Sequence, residues 1–204
     1  MRASEAMVDS APVVLASASP RRREILATLG IEVDVVPTHA DEDSVRLADH
    51  VAFVREAARL KLRSALARNE LIERFVLSAD TIVCVDDDRL GKPRGTEEAL
   101  DMLRRLSGRD HLVRTAVALG RGGRGELDCR VVETRVWFRG VDEQSLRRYV
   151  ERGESLDKAG AYGVQGAATG FVTRLDGSYS NVVGLPAAEV VELLLEHGAI
   201  ERWP

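Results

Sequence analysis

Apolar residues follow two rhythms along this chain. Short Val-rich runs predict strands at 13–16, 33–36, 75–85, 112–119, 127–138 and 171–175. Apolar positions at helical spacing, with charges between them, predict helices at 21–29, 51–68, 96–106, 141–152 and 187–197. The stop signals agree with these periods. Gly30, Gly108 and Gly198 close three of the helices, Pro37 ends the second strand, and Asp142 is placed to cap the helix at 141–152. Residues 38–44 are polar and acidic and read as a loop, and Asp86-Asp87-Asp88 as a hairpin turn. Strands and helices alternate irregularly, so the pattern predicts an α/β chain with a mixed sheet. No low-complexity linker splits it, and no internal repeat is visible.

The charge pattern breaks its own rule once. The helix at 96–106 opens with Glu97 and Glu98 and closes with Arg104 and Arg105, as the helix dipole favours. After the first strand comes Ser17-Ala18-Ser19-Pro20-Arg21-Arg22-Arg23. Ser19 is a suitable N-cap and Pro20 a suitable first helical residue. The arginines then fall at the positive end of the dipole, a cost of a few tenths to about 1 kcal/mol per charge. Either this is a solvated basic turn, or a polyanion docks there. Free amides at a helix start together with guanidinium forks suit a triphosphate.

A second stretch, Ser78-Ala79-Asp80-Thr81, lies inside an apolar, strand-like run. A carboxylate there costs energy unless it is paired, hydrogen-bonded or metal-bound. The alternative is an outward-facing Asp on a half-exposed strand. Lys92 follows in Gly91-Lys92-Pro93, where Gly91 permits close backbone approach and Pro93 stiffens the turn. By contrast, Gly120-Arg121-Gly122-Gly123-Arg124-Gly125 matches G-x-G-x-x-G only formally. A dinucleotide site needs a helix next, and the next segment is strand-like, so the tract reads as a hairpin loop.

These segments, with Asp157-Lys158-Ala159-Gly160-Ala161-Tyr162-Gly163-Val164-Gln165-Gly166 and Gly177-Ser178-Tyr179-Ser180-Asn181-Val182-Val183-Gly184-Leu185-Pro186, resemble the Maf family of nucleotide pyrophosphatases (septum-formation-inhibitor-like proteins). Four ordered blocks spanning about 13–195 carry the resemblance. It implies a Maf/inosine triphosphatase-like fold: a long twisted mixed β-sheet flanked by helices, forming two lobes around a cleft. It also implies hydrolysis of a nucleoside triphosphate to the monophosphate and pyrophosphate. Such chemistry needs phosphate charge neutralised, a divalent metal positioned and a water activated. Arg21, Arg22, Lys61 and Lys92 are the candidate cations, and Ser17 and Ser19 can donate to phosphate oxygens. Arg23, one step around the helix, is expected to face solvent. At Lys61 the chain has Leu62 where the family tends to Ala, and a surface helix lysine is the competing reading. Asp80 matches the family's proton acceptor and Glu42 its acidic residue after the second strand, with Asp41 and Asp43 as close neighbours. Glu42 and Asp80 are the expected ligands of Mg²⁺ or Mn²⁺, which binds through one or two carboxylates plus substrate phosphates.

The third block is Gly- and Ala-rich, so backbone can approach a flat ring. Tyr162 is expected to stack on the base, and the Gln165 amide can donate and accept at once, which suits the imide edge of thymine or uracil. The block resembles the branch acting on dTTP and UTP rather than that acting on 7-methyl-GTP. The resemblance associates specificity there with Arg21, Thr81 and Gln165. Val164 replaces a commoner isoleucine. The resemblance leaves two further roles open: a house-cleaning activity on modified nucleotides, and a non-catalytic regulator of cell division that binds nucleotide or protein. It also suggests a homodimer.

Bulk properties set limits. The 204 residues suffice for one sizeable domain, expected at 13–204, with 1–12 as a loose N-terminal extension. A formal net charge of -4 gives no reason to expect nucleic-acid binding. No apolar run nears the ~20 residues of a membrane span, and the first residues lack the apolar stretch of a signal peptide, so the expected compartment is the cytoplasm. Cys84 and Cys129 cannot form a disulfide framework. The four histidines show no paired helical spacing, which argues against zinc.

Overall fold

The structure, a computed structural model, describes residues 11–38, 40 and 44–204. Glu42, with its neighbours His39, Asp41 and Asp43, lies outside the described residues, as do residues 1–10 of the expected N-terminal extension. The elements in chain order are β1 (Val13–Leu15), α1 (Pro20–Thr28), β2 (Val33–Val35), α2 (His50–Leu66), β3 (Phe75–Val85), β4 (Asp88–Leu90), α3 (Thr96–Leu106), β5 (Asp110–Arg121), β6 (Gly125–Phe138), α4 (Glu143–Glu151), β7 (Val172–Asp176), α5 (Tyr179–Val183) and α6 (Ala187–Glu196), with short 3₁₀ turns between some of them.

Local chemistry explains most boundaries. Asp49 caps α2 by accepting from Ala52 N at 2.6 Å, and Asp142 caps α4 by accepting from Ser145 N at 2.9 Å. Helix α2 buries Val54, Ala57, Ala58, Leu62 and Ala65, one stripe at helical spacing. Helix α1 ends in a Schellman motif: Gly30 N donates to Ala27 O and Ile31 N to Leu26 O. Its accompanying apolar contact is present too, since Leu26 and Ile31 share one core cluster. The expected Ser19 cap is not made. Ser19 holds the N-cap position with extended backbone, yet its side chain makes no cap bond, and its own N–H donates to Ser17 Oγ at 3.2 Å.

Seven strands form one mixed sheet in the order β2-β1-β3-β5-β6-β7, with β4 also on β3. The pairs β1–β2 and β1–β3 are parallel and the remainder antiparallel. The Gly-rich tract is the β5–β6 turn, as its flanks predict. Gly122 is needed there for packing: a Cβ would lie 1.9 Å from Leu71 O. The acidic turn after β3 spends two of its carboxylates on arginines, Asp86 on Arg109 and Asp88 on Arg105, and Asp88 opens β4.

Side-chain alternation on β3 sends Leu77, Ala79 and Val83 to one face and Val76, Ile82 and Cys84 to the other. On the first face two cores sit at opposite ends of the strand. One packs β1, α1 and α6; the other packs α3, α4 and residues 161–171. Helix α2 covers the second face. Along the edge of β3 away from β5, β1 pairs at Val76 and Leu77 and β4 at residues 83–85. Residues 78–82 therefore face a break between two strand neighbours, and a cleft opens there.

Candidate active site

The cleft encloses about 820 Å³ and is lined by residues 16–22, 80–83, 91–92, 157–159 and 162–166 among others. The break in the sheet explains a feature that alternation alone would forbid: Asp80 and Thr81 point to opposite faces of β3, and both line the same cleft. Asp80 is 5% exposed. Its Oδ1 accepts from Lys61 Nζ at 2.7 Å, and the lysine arrives from α2. Pairing answers the cost of a carboxylate inside an apolar strand. Lys61 is thereby a cleft residue rather than a surface lysine of its helix.

Arg22, expected beside Arg21 as a phosphate fork, is found as a strut. It is 8% exposed. Its Nε donates to Gly184 O at 2.9 Å, Nη1 to Ala79 O at 2.8 Å and Ser17 Oγ at 3.1 Å, and Nη2 to Thr81 Oγ1 at 3.2 Å. The bond to Ala79 O satisfies a β3 carbonyl at the break. Gly184 fits because its φ of +121° lies in the region that favours glycine. From Thr81 the network continues to Thr115 Oγ1 at 3.0 Å, then Asn181 O at 3.1 Å, and Asn181 Nδ2 donates to Thr134 Oγ1 at 2.8 Å. Thr115, Thr134 and Asn181 are fully buried. Of this polar chain beneath the cleft floor, the sequence marks Thr81 as a site candidate; Thr115, Thr134 and Asn181 lie in three separate elements, and no local spacing joins them to it.

The other wall comes from residues 91–92 and 157–166, tied together where Gly160 N donates to Gly91 O at 3.1 Å. Lys92 is exposed at the cleft, and among the described residues its ammonium has no hydrogen-bond or ion-pair partner. Gln165 is exposed there too. Tyr162 departs from expectation. It is 5% exposed, with its ring 4.8 Å from Phe138 and 5.4 Å from His111 and its hydroxyl 2.8 Å from His111 Nε2. Burial raises its phenol pKa. Its ring packs with Phe138 and His111 in the core behind the wall, and the residue borders the cleft with little of its surface exposed.

Arg21 and Asp157 join the two walls. Arg21 Nη1 donates to Asp157 Oδ2 at 2.9 Å, and Lys158 Nζ donates to Asp157 Oδ1 at 2.5 Å. Burial works to raise the Asp157 pKa, and the hydrogen bonds from Lys158 and Arg21 outweigh it, so the net shift is downward. Arg23 is exposed. Among the described cleft residues, five cations (Arg21, Arg22, Lys61, Lys92, Lys158) meet two carboxylates (Asp80, Asp157). Such a surface suits a polyanion. Asp80 is also a hard-oxygen donor of the type that Mg²⁺ and Mn²⁺ take. Among the described residues, no helix is long and apolar enough to cross a membrane.

Comparison with known proteins agrees with the four sequence blocks. The family model described as Maf-like protein matches residues 12–197. The dTTP/UTP pyrophosphatase of Desulfotalea psychrophila is 46% identical over 189 residues, covering 93% of this chain and 96% of that protein. That of Hahella chejuensis is 47% identical over 195 residues, covering 94% of each. That of Escherichia coli O157:H7 is 46% identical over 188 residues, covering 92% of this chain and 94% of that protein. Among solved structures, the Staphylococcus aureus Ham1 protein superposes with a TM-score of 0.48 at 14% identity, covering 92% of this chain and 100% of that one, a likeness too loose to inform the chemistry. On the match to residues 12–197 and these identities, the chain belongs to the Maf-like protein family.

Proposed function

We propose that this cleft hydrolyses dTTP and UTP to the nucleoside monophosphate and pyrophosphate. The observation that carries the reading is Asp80: a nearly buried carboxylate at a break in the sheet, paired to Lys61 at 2.7 Å and set in a cleft where cations outnumber carboxylates. The names of the relatives, at 46–47% identity, support the substrate class.

The triphosphate lies between the turn at 17–22 and Lys92. Arg21 and Lys92 neutralise phosphate charge, and Ser17, Ser19 and the amides at the start of α1 donate to its oxygens. Arg22 holds that turn against β3 and Gly184. Asp80 accepts a proton from the attacking water, with Lys61 holding its carboxylate in place. A divalent cation held by Asp80 and Glu42 would supply charge neutralisation at the scissile phosphate when bound. The Gln165 amide meets the imide edge of the base, and Thr81, fixed by Arg22 and Thr115, shapes the same end.

The test is product analysis with each common nucleoside triphosphate and 7-methyl-GTP, in Mg²⁺ or Mn²⁺. Monophosphate plus pyrophosphate from dTTP and UTP is the expected result. Asp80→Asn should keep the fold and lose at least about a hundredfold in kcat, the usual scale for a general base. Near wild-type turnover by that variant would remove Asp80 from the role. No turnover by the folded wild-type protein with metal present would favour binding without catalysis.

A further inference from the structure

The carboxylate of Asp157 holds two of the cleft's cations at once. Oδ2 accepts from Arg21 Nη1 at 2.9 Å, Oδ1 from Lys158 Nζ at 2.5 Å, and the Asp157 carbonyl accepts from Arg21 Nη2 at 3.4 Å. Arg21 and Asp157 are 136 residues apart in sequence and come from opposite walls, so the pair bridges the cleft. The two cations differ in what else holds them. Lys158 Nζ also donates to Glu154 O at 2.5 Å, and its stem lies so close to Gly163 that a Cβ there would meet Lys158 Cε at 2.7 Å. For Arg21, both hydrogen bonds among the described residues go to Asp157. The Asp157 side chain is 60% exposed. The Arg21 side chain is 24% exposed. A pair whose carboxylate is open to water is weaker than the buried Arg22 network and exchanges more readily.

We infer that Asp157 is a displaceable internal anion, which occupies Arg21 and Lys158 in the ligand-free cleft and yields them to an incoming polyphosphate. It acts through Arg21 as a positioning residue. The inference rests on the proposed reading of the cleft as a polyphosphate site. Exchanging one carboxylate for one singly charged anion gains little Coulomb energy. A polyphosphate reaches Arg21, Lys158 and Lys92 together and gains at all three. Asp157 therefore sets a threshold that favours the longer anion, at the cost of some affinity.

Calorimetric titration of inorganic tripolyphosphate in metal-free buffer tests this on the full chain. Asp157→Asn should bind about three- to tenfold more tightly than wild type, with an unchanged melting temperature. Most of that gain should be absent in an Arg21→Ala background, and Asp157→Glu should restore wild-type affinity. Equal or weaker binding by Asp157→Asn overturns the displaceable anion and leaves the pyrophosphatase reading standing. Tripolyphosphate binding to neither wild type nor variant overturns the displaceable anion, and product analysis with Mg²⁺ or Mn²⁺ then decides the pyrophosphatase reading separately.

Discussion

At the scale of single residues, burial decides which polar groups work inside the molecule and which stay available. Arg21 and Arg22 are adjacent and chemically identical, yet one lines the open cleft and the other braces its floor. Their sequence context forecast both as phosphate ligands, because a helix start shows which residues lie in its first turn and not which of them neighbouring strands will bury. His111 is a similar case. It is 2% exposed, its Nε2 meets the Tyr162 hydroxyl, and burial pushes its pKa down to about 4. The folded pKa lies below the ordinary value, so the folded state favours neutral imidazole. The contribution to stability is full above about pH 6.5 and is lost as pH falls toward 4. Urea unfolding of wild type between pH 7 and pH 4 should show a loss from this group on the order of 3 kcal/mol, and His111→Gln should show a correspondingly shallower slope.

At the scale of elements, ends are set by short-range chemistry and can be tested one at a time. Asp49 and Asp142 each accept from the amide three residues on, whereas Ser19 occupies the same position of α1 without that bond. Asp49→Ala and Asp142→Ala should each cost about 1 kcal/mol in chemical denaturation, and Ser19→Ala no more than a few tenths of that. A cost near 1 kcal/mol for Ser19→Ala would show that the cap forms in solution. The elements themselves were largely legible. The predicted strand at 75–85 matches β3, the predicted helix at 96–106 matches α3, and the long hairpin lies where the apolar runs at 112–119 and 127–138 put it. β4 and α5 were missed, because three and five residues are too short to show a period.

At the scale of the whole molecule, the cleft exists because the edge of β3 changes partner from β1 to β4. In the proposed reading Asp80, which carries the rate, lies on β3, and Gln165, which reads the base, lies on the wall at 157–166, so rate and base choice rest on different segments. Gln165→Ala should therefore lower the preference for UTP over CTP by about tenfold or more while leaving kcat on the best substrate within about threefold, as measured by parallel kinetics on both nucleotides. An unchanged substrate profile would exclude Gln165 from base reading.

The sequence by itself determined the fold class, the long elements, the position of Asp80 inside a strand and the membership of four blocks in one family. Those depend on period, turn chemistry and local composition, all of which are written along the chain. Only the tertiary structure decided that Lys61 belongs to Asp80, that Tyr162 is core, that Arg22 is a strut, and that Asp157 bridges the cleft. Each of these depends on contacts between distant segments, from 19 residues for Lys61–Asp80 to 162 for Arg22–Gly184. Such contacts follow from the sheet order and from which face of each element is buried, and no local pattern along the chain displays them.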